Sequence, residues 1–190
     1  FLCGEQGIRL YDGMPDWRYD APGKWSFLRC PQCGLVWLNP RPAPEDIGMA
    51  YANRFPQGTV TVVSPPGKLE RSNAALLDGS SRGRLLDVGC GNGRFCALMR
   101  NLGWEVVGVE TDAPAARIAQ EQFGVPVVSG TLETADFPGD SFDAVTIHHV
   151  IEHVYDPFSL LGECFRVLRP GGKLVITTPN VESMGHKALR

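Results

Sequence analysis

Three glycines alternate with other residues just after a short apolar segment that carries an acid. Asp87 precedes Gly89, Gly91 and Gly93, and a helical pattern follows over 94–99. Glycine has no Cβ, so the backbone of such a turn can approach a ligand closely, and the N–H groups that open a helix add a positive end. The stretch predicts a nucleotide-like ligand across the end of a parallel sheet. A turn that only packs a helix on a strand is the alternative.

The glycine spacing separates this turn from two common phosphate-binding loops. In the dinucleotide pattern G-x-G-x-x-G the third glycine would fall on Arg94 or Cys96, and no Gly-Lys-Ser/Thr follows as in a Walker loop. The pattern that the sequence does contain is D-x-G-x-G-x-G, with Cys90 between the first two glycines. The carboxylate of Asp87 would repel a pyrophosphate, which disfavours a dinucleotide ligand.

A second acid ends the next predicted strand. The apolar segment 105–109 leads into Glu110, roughly 20 residues beyond the glycine turn, where an acid accepts hydrogen bonds from ribose hydroxyls. Later segments continue the alternation of strands and helices, which indicates a parallel sheet. The remaining strands are predicted over 125–129, 141–147 and 173–178, a turn over 169–172, and the helices over 113–123 and 157–168.

Several pieces of the chain, in this order, resemble one enzyme family. The D-x-G-x-G-x-G turn resembles motif I of the class I S-adenosylmethionine (SAM) methyltransferases, and the segments 148–157 and 168–174 resemble the ubiquinone-biosynthesis-type branch of that family. The resemblance covers about residues 82–180. It implies an α/β fold, a Rossmann-like doubly wound parallel sheet of strand order 3-2-1-4-5, with SAM as cofactor and S-adenosylhomocysteine as product.

The resemblance also implies where the cofactor binds. Asp87 would lie near the amino-acid end of SAM, Glu110 on the ribose hydroxyls, and the segment 130–133 where the family places its adenine contacts. The cofactor-binding residues implied in this way are Asp87, Gly89, Cys90, Gly91, Gly93, Glu110, Thr111, Thr131, Leu132 and His148.

Two adjacent histidines follow the fourth predicted strand, at the edge of the sheet where ligands bind. A neutral imidazole near neutral pH is a credible general base for deprotonating an acceptor. We therefore predict His149, or failing that His148, as the catalytic base. The alternative is that one of them packs or contacts the cofactor through its backbone. Glu152 and His153 are predicted to cap and bridge backbone groups.

A cysteine pair near the start of the chain has metal-ligand spacing. Cys30 and Cys33, followed by Gly34, form a C-x-x-C-G knuckle that would point two thiolates at one metal. The segment resembles the zinc ribbon that precedes the methyltransferase domain in a sub-group of the family. Cys3 resembles half of a matching knuckle, so Cys3, Cys30 and Cys33 are the candidate ligands for Zn²⁺. Thiols that hold no metal are the alternative.

These signals divide the chain into three parts. Residues 1–44 are predicted to form a small zinc-ribbon-like β module, 45–80 a linker with cofactor-covering helices over 45–54 and 68–77, and 81–190 the SAM-binding domain. In the family two more strands follow the fifth. We therefore expect the chain to be a fragment of a longer enzyme, with the fifth strand at an exposed edge.

Composition excludes several classes of partner. The chain has 190 residues and a formal net charge of −3, with no basic block, which disfavours a nucleic-acid partner. No apolar run approaches the roughly 18 residues that span a bilayer, and no signal-peptide pattern is present. We predict a cytoplasmic protein without membrane contacts, and cysteines that serve as metal ligands or thiols rather than disulfides.

The sequence thus predicts a SAM-dependent methyltransferase that transfers a methyl group to oxygen, nitrogen or carbon of a small-molecule acceptor. The first alternative is a non-catalytic SAM-fold binding module whose zinc ribbon holds a partner. The second is a nucleic-acid-modifying enzyme, which ranks last because the arginines are scattered.

Overall fold

The computed structural model describes residues 4–16, 22–43, 46 and 66–183. The chain divides into two compact units, one comprising Phe1–Thr59 with Val181–Arg190 and the other Val60–Asn180. Cys3 and nearly all of the helix predicted over 45–54 lie outside the described residues.

The first unit contains a small antiparallel sheet. Its strands are β1 (Ile8–Met14), β2 (Trp25–Arg29) and β3 (Val36–Leu38), in that order across the sheet. The cysteine pair lies in the tight turn between β2 and β3. In that turn, the N–H of Cys30 donates to the Leu35 carbonyl at 2.8 Å and the N–H of Cys33 approaches Cys30 Sγ at 3.4 Å.

The second unit is built on a five-stranded parallel sheet. The strands are β4 (Arg84–Val88), β5 (Glu105–Glu110), β6 (Val127–Ser129), β7 (Phe142–His148) and β8 (Leu168–Thr177). Their order is β6-β5-β4-β7-β8, and all pairs are parallel. This confirms the predicted order 3-2-1-4-5, with the fifth strand at the edge of the described sheet. Parallel pairing brings the carboxyl ends of all five strands to one edge.

In the described part of this unit the helices are α1 (Lys68–Ala75), α2 (Arg94–Asn101), α3 (Ala113–Phe123) and α4 (Pro157–Val167). Adjacent residues of a strand point to opposite faces, so Leu85 and Leu86 of β4 enter two different core clusters. Burial of both faces explains why these strands read as continuous apolar runs. No helix in the described part of the chain is both long and apolar enough to cross a membrane.

Helix boundaries follow local signals. Asp156 caps α4, because its carboxylate accepts the N–H groups of Phe158 at 3.0 Å and Ser159 at 3.1 Å. Helix α3 ends at Gly124, whose φ of 61° lies in the left-handed region that favours glycine. The predicted boundaries of these two helices therefore hold within one residue.

Two local predictions hold only in part. The segment 169–172, predicted as a turn, lies within β8 but interrupts its pairing, which passes from Phe142–Leu168 to Ala144–Lys173, and Gly171 has a left-handed φ of 80°. In the region of α1, predicted from the helical spacing of its apolar residues, Ala74 and Leu77 are buried, whereas Leu69 and Leu76 are 58% and 55% exposed. The face that packs inward also carries the polar Asn73.

Candidate active site

The glycine turn after β4 is fastened to the next strand. The N–H groups of Gly89 and Cys90 both donate to the Val109 carbonyl, at 2.8 and 3.1 Å, and the N–H of Gly93 closes the loop on the Cys90 carbonyl at 3.0 Å. All three glycines have positive φ, which side chains with a Cβ rarely adopt. The backbone of this loop is therefore held in one conformation at the carboxyl edge of the sheet.

The space around each glycine separates packing from ligand binding. A Cβ on Gly93 would lie 2.6 Å from Ala119 Cβ of α3, and one on Gly89 would lie 2.3 Å from Val150 Cγ2, so these two glycines permit close packing. A Cβ on Gly91 would meet no atom within 4 Å. A turn that only packs a helix therefore explains two glycines and leaves the middle one facing open space.

Glu110 at the end of β5 lies directly beside this open glycine. Its Oε2 accepts the N–H of Gly91 at 2.7 Å, and its Oε1 accepts the N–H of Asp112 at 2.8 Å. The hydroxyl of Thr111 lies 3.4 Å from Oε1. A carboxylate has about four lone-pair positions, so these contacts leave capacity for ligand hydroxyls.

Asp87 is buried below the loop rather than exposed in it. Thr146 Oγ1 of β7 donates to Oδ1 at 2.7 Å, and Cys96 Sγ of α2 lies 3.4 Å from Oδ2. Burial raises the pKa of Asp87 to about 6, and the nearby charge of Glu110 adds to the rise. Neither Cys96 nor Thr146 is among the site residues predicted from the sequence. A polar residue in the middle of an apolar strand was the available signal.

His148 is held inside the unit. Its Nδ1 lies 2.8 Å from Thr177 Oγ1 of β8 and 3.2 Å from the amide nitrogen of Asn73 on α1. Its ring meets Phe95 edge to face, with centroids 4.5 Å apart. Burial lowers the pKa of His148 to about 4, so the ring is neutral at neutral pH.

Neither ring nitrogen of His148 is open to an acceptor. Nδ1 is engaged by the Thr177 hydroxyl and the Asn73 amide. Nε2 is buried and has no hydrogen-bond partner among the residues that the structure describes. An acceptor therefore cannot deliver a proton to His148 in this arrangement, which favours a packing role for it.

His149 differs from His148 in its backbone conformation, its exposure and its contacts. Its φ of 56° is unusual for a residue with a Cβ, and its N–H donates to the Thr177 carbonyl at 2.9 Å. The side chain is 41% exposed, and its Nδ1 lies 3.5 Å from Glu152 Oε1. His149 is thus an accessible imidazole directly after the end of β7, and His153 in the same turn is also exposed.

The segment after β6 offers fewer contacts than predicted. The side chain of Leu132 is buried in the core cluster below β4 and β7, so only its backbone could face a ligand. The N–H of Thr131 donates to Thr134 Oγ1 at 3.0 Å. The exposed hydroxyl of Thr131 lies 3.4 Å from the same atom.

Comparison with known proteins identifies the class of domain that this geometry matches. Residues 86–176 match the family model described as a methyltransferase domain. A ubiquinone biosynthesis O-methyltransferase from Bradyrhizobium sp. (strain ORS 278) is 41% identical over 118 residues, which is 60% of this chain and 46% of that protein. The chain spans about half the length of the curated relatives that it matches.

Solved structures agree on the fold. A protein from Thermotoga maritima described as a SAM-dependent methyltransferase superposes with a TM-score of 0.54 at 31% identity, over 63% of this chain and 56% of that chain. Phosphoethanolamine N-methyltransferase 2 of Haemonchus contortus, in complex with SAM, superposes with a TM-score of 0.56 at 26% identity, over 67% and 33%. The second unit therefore has the Rossmann-like fold of SAM-dependent methyltransferases, a class whose cofactor is SAM.

The different surroundings of the glycines predict different effects of adding a methyl group. Gly91→Ala should strain the backbone by about 1–2 kcal/mol without a clash, and should weaken SAM binding by about tenfold or more, because its Cβ enters the open space. Gly93→Ala adds a clash with Ala119 and should destabilise by a further 1–3 kcal/mol or so. Calorimetry and thermal unfolding of both variants test this. Equal losses of affinity at equal stability would contradict it.

The burial of Asp87 predicts that the stability of the protein depends on pH. The folded pKa of Asp87, about 6, lies above the usual value of 3.8, so the folded chain binds this proton more tightly, and the contribution of Asp87 to stability falls as pH rises from about 4 to 6. The free energy of unfolding of Asp87→Asn should therefore rise relative to that of the wild type as pH rises over this range, by on the order of 2–3 kcal/mol.

Urea unfolding of both proteins between pH 4 and 7 measures this difference. The wild-type curve alone is not enough, because His148, with its lowered pKa, contributes with the opposite sign over the same range. Asp143→Asn serves as a control whose stability difference from the wild type should stay nearly constant over this range, because the hydrogen bond from Arg169 lowers the pKa of Asp143 from its usual value of 3.8 and its contribution is lost only at lower pH. A difference between Asp87→Asn and wild type that stays constant with pH would refute the buried, protonatable carboxyl.

Proposed function

We propose that this protein is a SAM-dependent methyltransferase that transfers the methyl group to oxygen, nitrogen or carbon of a small-molecule acceptor. The observation that carries the proposal is the open space at Gly91 beside the held carboxylate of Glu110, at the carboxyl edge of a parallel sheet. The O-methyltransferase names of the curated relatives favour oxygen as the acceptor atom.

The residues of the glycine turn and the ends of the strands fit SAM. Glu110 would accept the ribose hydroxyls with its unused lone pairs, while Gly91 gives the cofactor room to lie against the backbone. The charge of the buried Asp87 would attract the ammonium group through the loop. Gly89, Cys90, Gly93 and Thr111 would contribute backbone groups around these two carboxylates. Thr131, the backbone of Leu132 and His148 complete the proposed set.

SAM supplies an activated methyl group, so the protein mainly has to orient the acceptor and exclude water. An acceptor hydroxyl becomes a stronger nucleophile when its proton is removed. His149 is the proposed base, because its imidazole is accessible at the edge of the sheet where ligands of this fold bind. His148 is the second candidate, and would need to uncover its buried Nε2 to take this role.

Transfer of labelled methyl groups tests the proposed function. The protein should move label from SAM to at least one member of a panel of phenols, sugars and amines. Glu110→Ala should weaken SAM binding by roughly 1.5–3 kcal/mol, about 10- to 100-fold, because charged hydrogen bonds are lost. Glu105→Ala, at the other end of β5, is the matched control and should retain affinity. SAM binding without any transfer would instead support a non-catalytic binding module.

We also propose that the first unit is a zinc ribbon, with Cys30 and Cys33 as two ligands and Cys3 as a third. The N–H of Cys33 near Cys30 Sγ and the φ of 76° at Gly34 support this, because a knuckle turns its backbone N–H groups toward the sulfurs. No group of three or more candidate ligands occurs in the ranges that the structure describes, and Cys3 lies outside them. The boundaries at 44 and 80 and a cytoplasmic location stay predictions.

Metal analysis of the full-length protein tests the zinc proposal. We expect about one zinc ion per chain, with each thiolate about 2.3 Å from it by X-ray absorption. Cys33→Ser should remove the metal, whereas Cys164→Ala should keep it, because Cys164 is buried in α4. Absence of metal together with readily titrated Cys30 and Cys33 thiols would exclude a zinc ribbon.

A further inference from the structure

We propose that Glu152 is a positioning residue that orients His149 as the base of the methyl transfer, an inference that rests on the proposed function. The sequence predicted Glu152 only to cap and bridge backbone groups. In the structure its carboxylate lies between two imidazoles and a hydroxyl, in the turn that links β7 to α4.

The two oxygens of the Glu152 carboxylate have different surroundings. Oε2 accepts the hydroxyl of Thr178 at 3.2 Å, just beyond the end of β8. Oε1 lies 3.5 Å from His149 Nδ1 and 3.8 Å from His153 Nε2. One oxygen thus holds the carboxylate in place, and the other faces the ring of the proposed base.

His149 is fixed by the same strand end. Its backbone N–H donates to the carbonyl of Thr177, the residue before Thr178. Its left-handed φ of 56° is a strained conformation that persists only where the surroundings impose it. Because His149 is tied to Thr177, the last residue of β8, and Glu152 to Thr178, the next residue, the His149 ring and the Glu152 carboxylate are kept facing each other.

This arrangement selects the tautomer that a base needs. A carboxylate facing Nδ1 favours the proton on that nitrogen, which leaves the lone pair of Nε2 available. Among the described residues, Nε2 of His149 has no hydrogen-bond partner. When the O–H bond of the acceptor breaks, the proton would pass to Nε2, and the electron pair left on oxygen would form the bond to the methyl carbon. The C–S bond of SAM would break at the same time, and its electron pair would stay on sulfur in the leaving S-adenosylhomocysteine. The exposed ring then returns the proton to solvent.

The neighbouring ionisable groups do not provide the same function. His148 has its Nδ1 engaged by Thr177 and Asn73 and its Nε2 buried, so neither nitrogen is open to an acceptor. His153 lies farther from Glu152 than His149 does, at 3.8 against 3.5 Å. Because these three histidines lie within six residues of one another, an experiment must resolve each ring separately.

Nitrogen NMR of the full chain with bound S-adenosylhomocysteine resolves the tautomer of each histidine, whatever the acceptor is. We expect His149 to carry its proton mainly on Nδ1 in the wild type and to shift toward Nε2 in Glu152→Gln. Glu152→Asp should restore part of the wild-type state. Glu163→Gln, which removes a carboxylate paired with Arg166 on α4, is the matched control and should leave His149 unchanged. Thermal unfolding checks that each variant is folded.

Turnover of labelled SAM with catechol as acceptor provides the second readout. Glu152→Gln should lower kcat by about tenfold and leave the SAM dissociation constant unchanged, and His149→Gln should lower kcat further. If Glu152 acts through His149, the double variant should be no slower than His149→Gln alone.

Three results would overturn the proposal: an unchanged His149 tautomer in Glu152→Gln, a shift at His153 in its place, or additive losses in the double variant. Absence of SAM binding would instead count against the proposed function. The NMR result on Glu152 and His149 can be recorded without turnover, so the two failures are distinguishable.

Discussion

The hydrogen bond from the Gly91 N–H to the Glu110 carboxylate is the contact on which the site depends. At 2.7 Å it joins the loop after β4 to the end of β5. The N–H groups of Gly89 and Cys90, both donated to the Val109 carbonyl, fasten the same loop from below. These bonds are possible only because glycine accepts the positive φ that the turn requires. They keep the carboxylate beside the open face of Gly91, where a ligand hydroxyl can reach both.

The register of the parallel strands places polar side chains of neighbouring strands opposite each other. Asp87 of β4 lies opposite Thr146 of β7, and His148 of β7 lies opposite Thr177 of β8. Each pair forms a side-chain hydrogen bond, so polar atoms that would be costly to bury alone are satisfied by the neighbouring strand. The pairs lie toward the carboxyl ends of the strands, close to the glycine turn. These two polar pairs thus lie next to the proposed cofactor site.

The end of β7 gives the two adjacent histidines different environments. β7 ends at His148, whose ring turns inward against Phe95 and Asn73, and the backbone reverses at His149 with a positive φ. One ring is therefore buried and neutral, while the next is exposed and faces Glu152. For the proposed methyl transfer the protein has to orient the acceptor and remove its proton. The inward-facing His148 and the exposed His149 are suited to these different tasks.

Much of the fold could be predicted because its signals are local. The apolar runs, the glycine turn, the cap at Asp156 and the stop at Gly124 depend on residues within a few positions of one another. The strand order came from the family resemblance that these motifs carry. The local rules predicted Glu110 at the end of its strand. They did not show that the segment 169–172 would interrupt the pairing within β8 instead of preceding the strand as a separate turn.

Only the tertiary structure decided which candidate side chains are accessible. The sequence could not show that Asn73, on a separate helix, contacts His148. It also could not show that Cys96 and Thr146 contact Asp87, or that Leu132 is buried. These contacts join residues 9 to 75 positions apart, and their geometry depends on how strands and helices pack. Residue type and spacing therefore determined the chemistry that this chain can offer, whereas packing determined which atoms are exposed to perform it, because burial is a property of the whole unit and not of any segment.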